Sequence, residues 1–138
     1  AIALPGGGRL ALEAGISGLH CQAPNWDSTD WASICALYDR LVERWPSPSA
    51  RIARIIARSF SGVGPGTALT ELDDLEAAPG GASERQVVAA RADLLRRLGR
   101  IADARAAYAK ARSVEHNAPV RAYFTRRLEE LDSAPLVE

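Results

Sequence analysis

The sequence predicts an all-α fold. Apolar residues recur at three- and four-residue spacing along nearly the whole chain, and no run alternates as a half-buried strand would. Gly- and Pro-rich breaks ("PGGG", "PSPS", "GVGPG", "PGGAS") cut this pattern into short, regular segments. Aromatic residues make up only 6% of the chain while alanine is abundant, so its helices must meet closely through small side chains.

Each element follows from its own signals. A short apolar stretch and "PGGG", residues 1–8, read as the end of a preceding helix and a linker. A first helix is expected from Arg9 to Ala23 and is stopped by Pro24. Asp27 or Ser28 can cap a second, with Asp30 favouring its positive end. That helix runs to Trp45, with Trp31, Ile34, Cys35, Tyr38, Leu41 and Val42 on one face. A third, Ser49 to Ser61, turns Ile52, Ile55, Ile56 and Phe60 inward, and a fourth covers Thr67 to Ala77. The fifth spans Ser83 to Leu98 and the sixth Ile101 to Val114. The seventh starts near Asn117 and Pro119 and ends near Leu131, with Tyr123, Leu128 and Leu131 inward. About seven helices joined by short turns make antiparallel neighbours. The expected domain is 9–132, followed by a disordered tail, 133–138.

Charge narrows the function. The formal net charge is zero at pH 7, against the basic excess usual for a nucleic-acid binder. "TELDDLEAA" carries Glu71, Asp73, Asp74 and Glu76, whereas arginines dominate from Arg85 to Arg127. Pairing within the fold is the expected use of this asymmetry. The acidic run itself reads as a solvated helix face rather than a metal or carboxylate-pair site. No apolar run is long enough to span a bilayer and no signal peptide is visible. Cys21 and Cys35 read as reduced core residues of a cytoplasmic protein. The chain contains no methionine, so a piece of a longer protein is the expected context.

The stretch from Ala90 to Ala111, "ARADLLRRLGRIADARAAYAKA", is the most informative. It fits one tetratricopeptide-like unit: small residues where two helices cross, a bulky residue in the gap and a glycine in the turn. Ala92, Leu95, Gly99, Ala104, Tyr108 and Ala111 take those places. A DNA-binding helix-turn-helix is the rival. Its second helix would have to present base-reading side chains, yet the outer face here is Ala102, Arg105, Ala106, Ala109 and Arg112. The tight turn also opposes the near-perpendicular crossing of that motif.

Catalytic and metal chemistry find little support. His20, Cys21, Cys35 and His116 lack zinc-site spacing, and no nucleophile elbow is present. "SGVGPG" follows a helix and lacks the Gly-Lys-Ser/Thr ending of a phosphate loop, so it reads as a turn. Neither an enzymatic activity nor a cofactor or metal is expected.

Several stretches together resemble a known family. "LALEAGISGLHCQAP", "TDWASICALYDRL", "SPSARIARIIA", "GPGTALTELDDLEA", "ARADLLRRLGRIADARAAYAKA" and "FTRRLEEL" occur in one order. In that order they resemble the C-terminal, tetratricopeptide-like extension of extracytoplasmic-function sigma factors, members of the sigma-70 family of bacterial RNA polymerase. The matching positions include Thr29, Asp30, Trp31, Tyr38, Asp39, Arg54, Arg91, Ala92, Leu95, Gly99, Ala104, Tyr108, Arg126 and Arg127. The chain departs from the family at Arg9-Leu10-Ala11-Leu12, at Ile52-Ala53-Arg54 and near Val88-Ala89, which bears on regulatory contacts rather than on the fold. The resemblance implies a regulatory domain in transcription initiation. Its partners would be the sigma regions N-terminal to this chain and the polymerase core, with DNA touched only through those regions and no membrane involved.

Candidate protein-interaction residues are therefore Trp31, Tyr38, Asp39, Arg54, Arg91, Asp93, Arg96, Arg97, Arg126 and Arg127. Arg91 and Asp93 could equally be a structural pair, whereas Arg96 and Arg97 are expected to face a partner. The alternative function is a stand-alone adaptor whose helical groove binds peptides or proteins.

Overall fold

The computed structural model describes residues 30–133. The expected first helix, the linker before it, Thr29 and Cys21 lie outside the described residues, as does 134–138. Among the described residues the structure is all-helical, with six helices and no strand. They are α1 (Trp31–Arg44), α2 (Pro48–Phe60), α3 (Pro65–Ala77), α4 (Glu84–Arg97), α5 (Ile101–Val114) and α6 (Ala118–Ser133). Helix α6 thus includes Ser133, which the sequence assigns to the tail. The chain divides into two compact units between Glu71 and Leu72, within α3.

In the first unit α1 packs on α2. Asp30 is itself the N-cap of α1, in place of Asp27 or Ser28. Its carboxylate accepts from the Ser33 amide at 3.1 Å and from the Ser33 hydroxyl at 2.6 Å. These bonds to Ser33 hold the Asp30 carboxyl below the usual carboxylate range. Helix α2 opens with Ser47 as cap, accepting from the Ala50 amide, and Pro48 in its first turn, where a missing N–H costs nothing. The core joins Ile34, Leu37, Leu41, Val42, Ala50 and Ala57, with Trp31, Cys35, Tyr38 and Trp45 packed against it. The alanines, seven residues apart, occupy the helix crossing. Ile55 is buried as expected, but Ile52, Ile56 and Phe60 are only half-buried, because the close-packed face of α2 runs through its small residues.

The second unit centres on α4, which packs on α5, and α5 on α6. Its alanine-rich face is closed by Val87, Val88, Ala92, Leu94, Leu95, Ala104, Tyr108 and Ala111, all buried. Helix α4 starts with a capping box: Ser83 accepts from the Gln86 amide, and the Gln86 side chain accepts from the Ser83 amide. It ends in a Schellman motif, with the Gly99 amide donating to Arg96 O and the Arg100 amide to Leu95 O, both at 3.0 Å. Gly99 has φ +79°, the left-handed conformation that reverses the chain so that Asp93 meets Tyr108. At Gly81 the constraint is steric instead. A Cβ there would stand 1.9 Å from the Leu75 carbonyl oxygen.

Candidate interaction site

Three helices gather four polar side chains around one carboxylate, that of Asp93. Tyr108, on α5, has 0% exposure, and a buried phenol left without a partner would cost about 1–3 kcal/mol. Its hydroxyl donates to Asp93 Oδ1 on α4. The Tyr123 hydroxyl on α6 donates to the same oxygen at 3.0 Å. Arg96 Nε donates to the Tyr108 hydroxyl at 3.1 Å, and Arg127 Nε to the Tyr123 hydroxyl at 3.2 Å. Arg127 also pairs with Glu130 at 2.9 Å and lies over the Tyr123 ring. Asp93 is thus the acceptor on which α4, α5 and α6 converge.

The electrostatics follow from this placement. Burial first, then the hydrogen bond to the Asp93 carboxylate, push the Tyr108 phenol well above its usual range. Burial pulls the Arg97 guanidinium down, with Arg96 beside it adding like-charge repulsion. For Arg91 burial acts downward too, but its bonds to Asp73 and Glu76 outweigh it and the net shift is upward.

The sequence-derived candidates separate into three groups. Arg91 is held inside the second unit, one nitrogen meeting Asp73 at 2.6 Å and Glu76 at 2.7 Å. This carries out the expected pairing of acidic and basic segments and gives part of the acidic face a structural task. Asp93, Arg96 and Arg127 belong to the three-helix cluster, so Arg96 spends a donor within the fold rather than on a partner. Arg126 is different. It is exposed on α6, with no hydrogen bond or ion pair among the described residues.

Arg97 is half-buried at the end of α4, and the other candidates lie in the first unit. Trp31 stacks on Phe60 with ring centroids 4.5 Å apart, and Tyr38 packs on the core. Asp39 and Arg54 form a loose pair at 3.8 Å, with Asp39 mostly exposed. Cys35 is a free thiol whose Sγ donates to the Ser61 hydroxyl at 3.4 Å. Among the described residues no group of three His, Cys, Asp or Glu is placed to hold a metal ion. No helix among them is long and apolar enough to cross a membrane.

Sequence reasoning placed Tyr123 inward but missed its hydroxyl's role, and it overlooked Phe124, the more deeply buried neighbour. Spacing alone gives no sign that Tyr108 and Tyr123 share one carboxylate. The only available clue is that a tyrosine at a close-packed repeat position must find an acceptor.

No family model matches the chain, and no solved structure matches it. Over 128 residues, 93% of its length, the chain is 33% identical to a protein of Rhizobium meliloti (strain 1021) described as uncharacterized. The chain spans 30% of the length of that relative.

Proposed function

We propose that this chain is a non-enzymatic regulatory domain of an extracytoplasmic-function sigma factor. It acts in transcription initiation by contacting sigma core regions or RNA polymerase in the cytoplasm. Its helical pairs form a tetratricopeptide-like superhelix of about seven helices. The observation that carries the reading is the hairpin of α4 and α5. Its seam consists of Ala92, Leu95, Ala104, Tyr108 and Ala111, the small-and-bulky arrangement by which repeat domains stack. The ordered stretches that resemble the sigma-factor extension supply the biological context.

The charge distribution supports protein rather than DNA as the direct partner. The net charge is zero, and Arg91, Arg96, Arg105 and Arg127 are occupied by bonds within the second unit. Arg126, exposed and without a partner among the described residues, is the group best placed to meet an acidic partner surface. The test is transcription from reconstituted holoenzyme, using the full-length factor with and without this domain. A change in rate or promoter choice is expected on removal, and Arg126→Glu should reproduce part of it. Identical output from both factors overturns the reading.

A further inference from the structure

The three-helix cluster is divided in an informative way. The bonds Tyr108 to Asp93 and Arg96 to Tyr108 lie wholly within the α4–α5 pair. The bonds Arg127 to Tyr123 and Arg127 to Glu130 lie wholly within α6. If α6 departs, the buried Tyr108 hydroxyl keeps its acceptor and no buried polar group on the hairpin is stranded. The polar links that must break are few. They include Tyr123 to Asp93, Arg105 to the Leu131 carbonyl and Asp132, Arg112 to Thr125, and, beside the turn, Arg121 to the Glu115 carbonyl. Apart from the buried Leu131, whose carbonyl meets water once α6 lifts, the residues they join are half-buried or exposed.

The apolar part of the α6 contact is equally compact. Phe124, Leu128 and Leu131 are its buried residues, at i, i+4 and i+7, and Phe124 lies against Tyr108 with ring centroids 6.3 Å apart. The α4–α5 pair buries eight residues of its own. A helix with three apolar anchors and water-replaceable links opens at lower free energy than the pair beneath it.

We infer that α6 is a releasable latch on the α4–α5 hairpin, and that the seam it uncovers accepts a partner helix of α6's own pattern, large apolar residues at i, i+4 and i+7. The occupant's chemistry is read from the helix already seated there. The Tyr123–Asp93 bond sets how often the latch opens, whereas Asp93 also supports the hairpin through Tyr108. The partner half rests on the interaction-domain reading above; the opening itself does not.

Hydrogen exchange of the full chain tests the latch without reference to transcription. In the intact protein, amides of α6 should exchange at least about tenfold faster than those of Val87 to Leu95. Tyr123→Phe should accelerate α6 by about tenfold more, the usual effect of losing one hydrogen bond to a charged group, and leave α4 within about twofold. Asp93→Asn should accelerate α4, α5 and α6 together. Equal protection of all three helices in the intact chain, or a uniform rise with Tyr123→Phe, overturns the latch. A labelled peptide of residues 118–133 probes the seam. It should bind the Tyr123→Phe chain about tenfold more tightly than the unaltered chain. Equal affinity for both, or no binding to either, overturns the partner-helix half. Asp132→Asn, which removes the Arg105 ion pair from the α6 side and leaves the seam unaltered, should reproduce both effects if Tyr123→Phe impairs folding.

Discussion

The two units close their helix pairs by different means. In the first, α1 brings Ile34, Leu37, Leu41 and Val42, with Trp31, Tyr38 and Trp45 around them, and α2 answers with Ala50 and Ala57. Large side chains come from one helix and small ones from the other. The second unit buries small residues on both helices of its pair, Ala92 on α4 and Ala104 and Ala111 on α5, together with the bulky Tyr108. A buried phenol brings a hydroxyl with it, and the hydroxyl calls for Asp93 and Arg96. Close approach through alanine therefore has a polar consequence that the aliphatic core of the first unit avoids. Core size decides stability in one unit, and core fit together with hydrogen-bond satisfaction decides it in the other.

The largest expected effect attacks core size. Ile34 is fully buried, and Ile34→Ala should destabilise by about 2–5 kcal/mol through lost burial and the cavity left behind. The three tryptophans all lie at or before Trp45, so tryptophan fluorescence during urea unfolding reads this change directly. A shift below about 1 kcal/mol would show that the site collapses around the smaller side chain. The next effect attacks fit. Ala104 has no exposure at a position where α5 meets α4, and Ala104→Leu should cost about 1–3 kcal/mol by overpacking. Faster hydrogen exchange across α4 and α5 would register it. A neutral outcome would mean that the alanine seam has slack and that the contrast between the units is overstated.

The parts of the fold legible in the sequence are those with local causes. Ile101–Val114 was expected from end to end, because Gly99 marks its approach and the apolar spacing is regular up to Val114. The cap of α1 was missed by a few residues because Asp27, Ser28 and Asp30 are all competent acceptors. Only tertiary placement selects among them. The inward isoleucines of α2 were overstated for a related reason. Hydrophobic spacing identifies a broad apolar arc, while the crossing point within it falls on Ala50 and Ala57. In the candidate site, the burial of Ala92, Leu95, Ala104, Tyr108 and Ala111 is legible from steric pattern. The convergence of Tyr108 and Tyr123 on Asp93 is not, since it joins residues 15 and 30 positions apart through helix packing. The sequence allows Arg91 either a structural or an interacting role, and its two carboxylate partners at 2.6 and 2.7 Å give it a structural one.

A smaller effect isolates backbone conformation from packing. At Gly99 an added Cβ would meet nothing within 4 Å, so Gly99→Ala carries only the cost of a left-handed φ, about 1–2 kcal/mol. The same substitution at Gly81 drives a Cβ into the Leu75 carbonyl and should cost more, because backbone must move. Urea unfolding of the two variants side by side checks the ranking. A Gly99→Ala change as large as that of Gly81→Ala would mean that the turn is crowded after all.

The smallest effect at neutral pH concerns Tyr108, and it sharpens the claim that its unit depends on hydrogen-bond satisfaction. Its phenol is raised in the folded state above the usual value near 10. A raised folded value makes the native state bind a proton that the unfolded chain has already lost. The stabilisation is therefore complete below about pH 10 and declines as pH rises toward the folded value. Stability should be unaffected by this residue through pH 9 and then fall. Tyrosinate absorbance near 295 nm, taken as the difference between the unaltered chain and Tyr108→Phe, reads the single group. The difference signal should lag a free tyrosine and arrive with cooperative unfolding. A difference curve centred near pH 10 in a still-folded chain would show that neither burial nor Asp93 holds the proton, and the polar account of the second unit would fail with it.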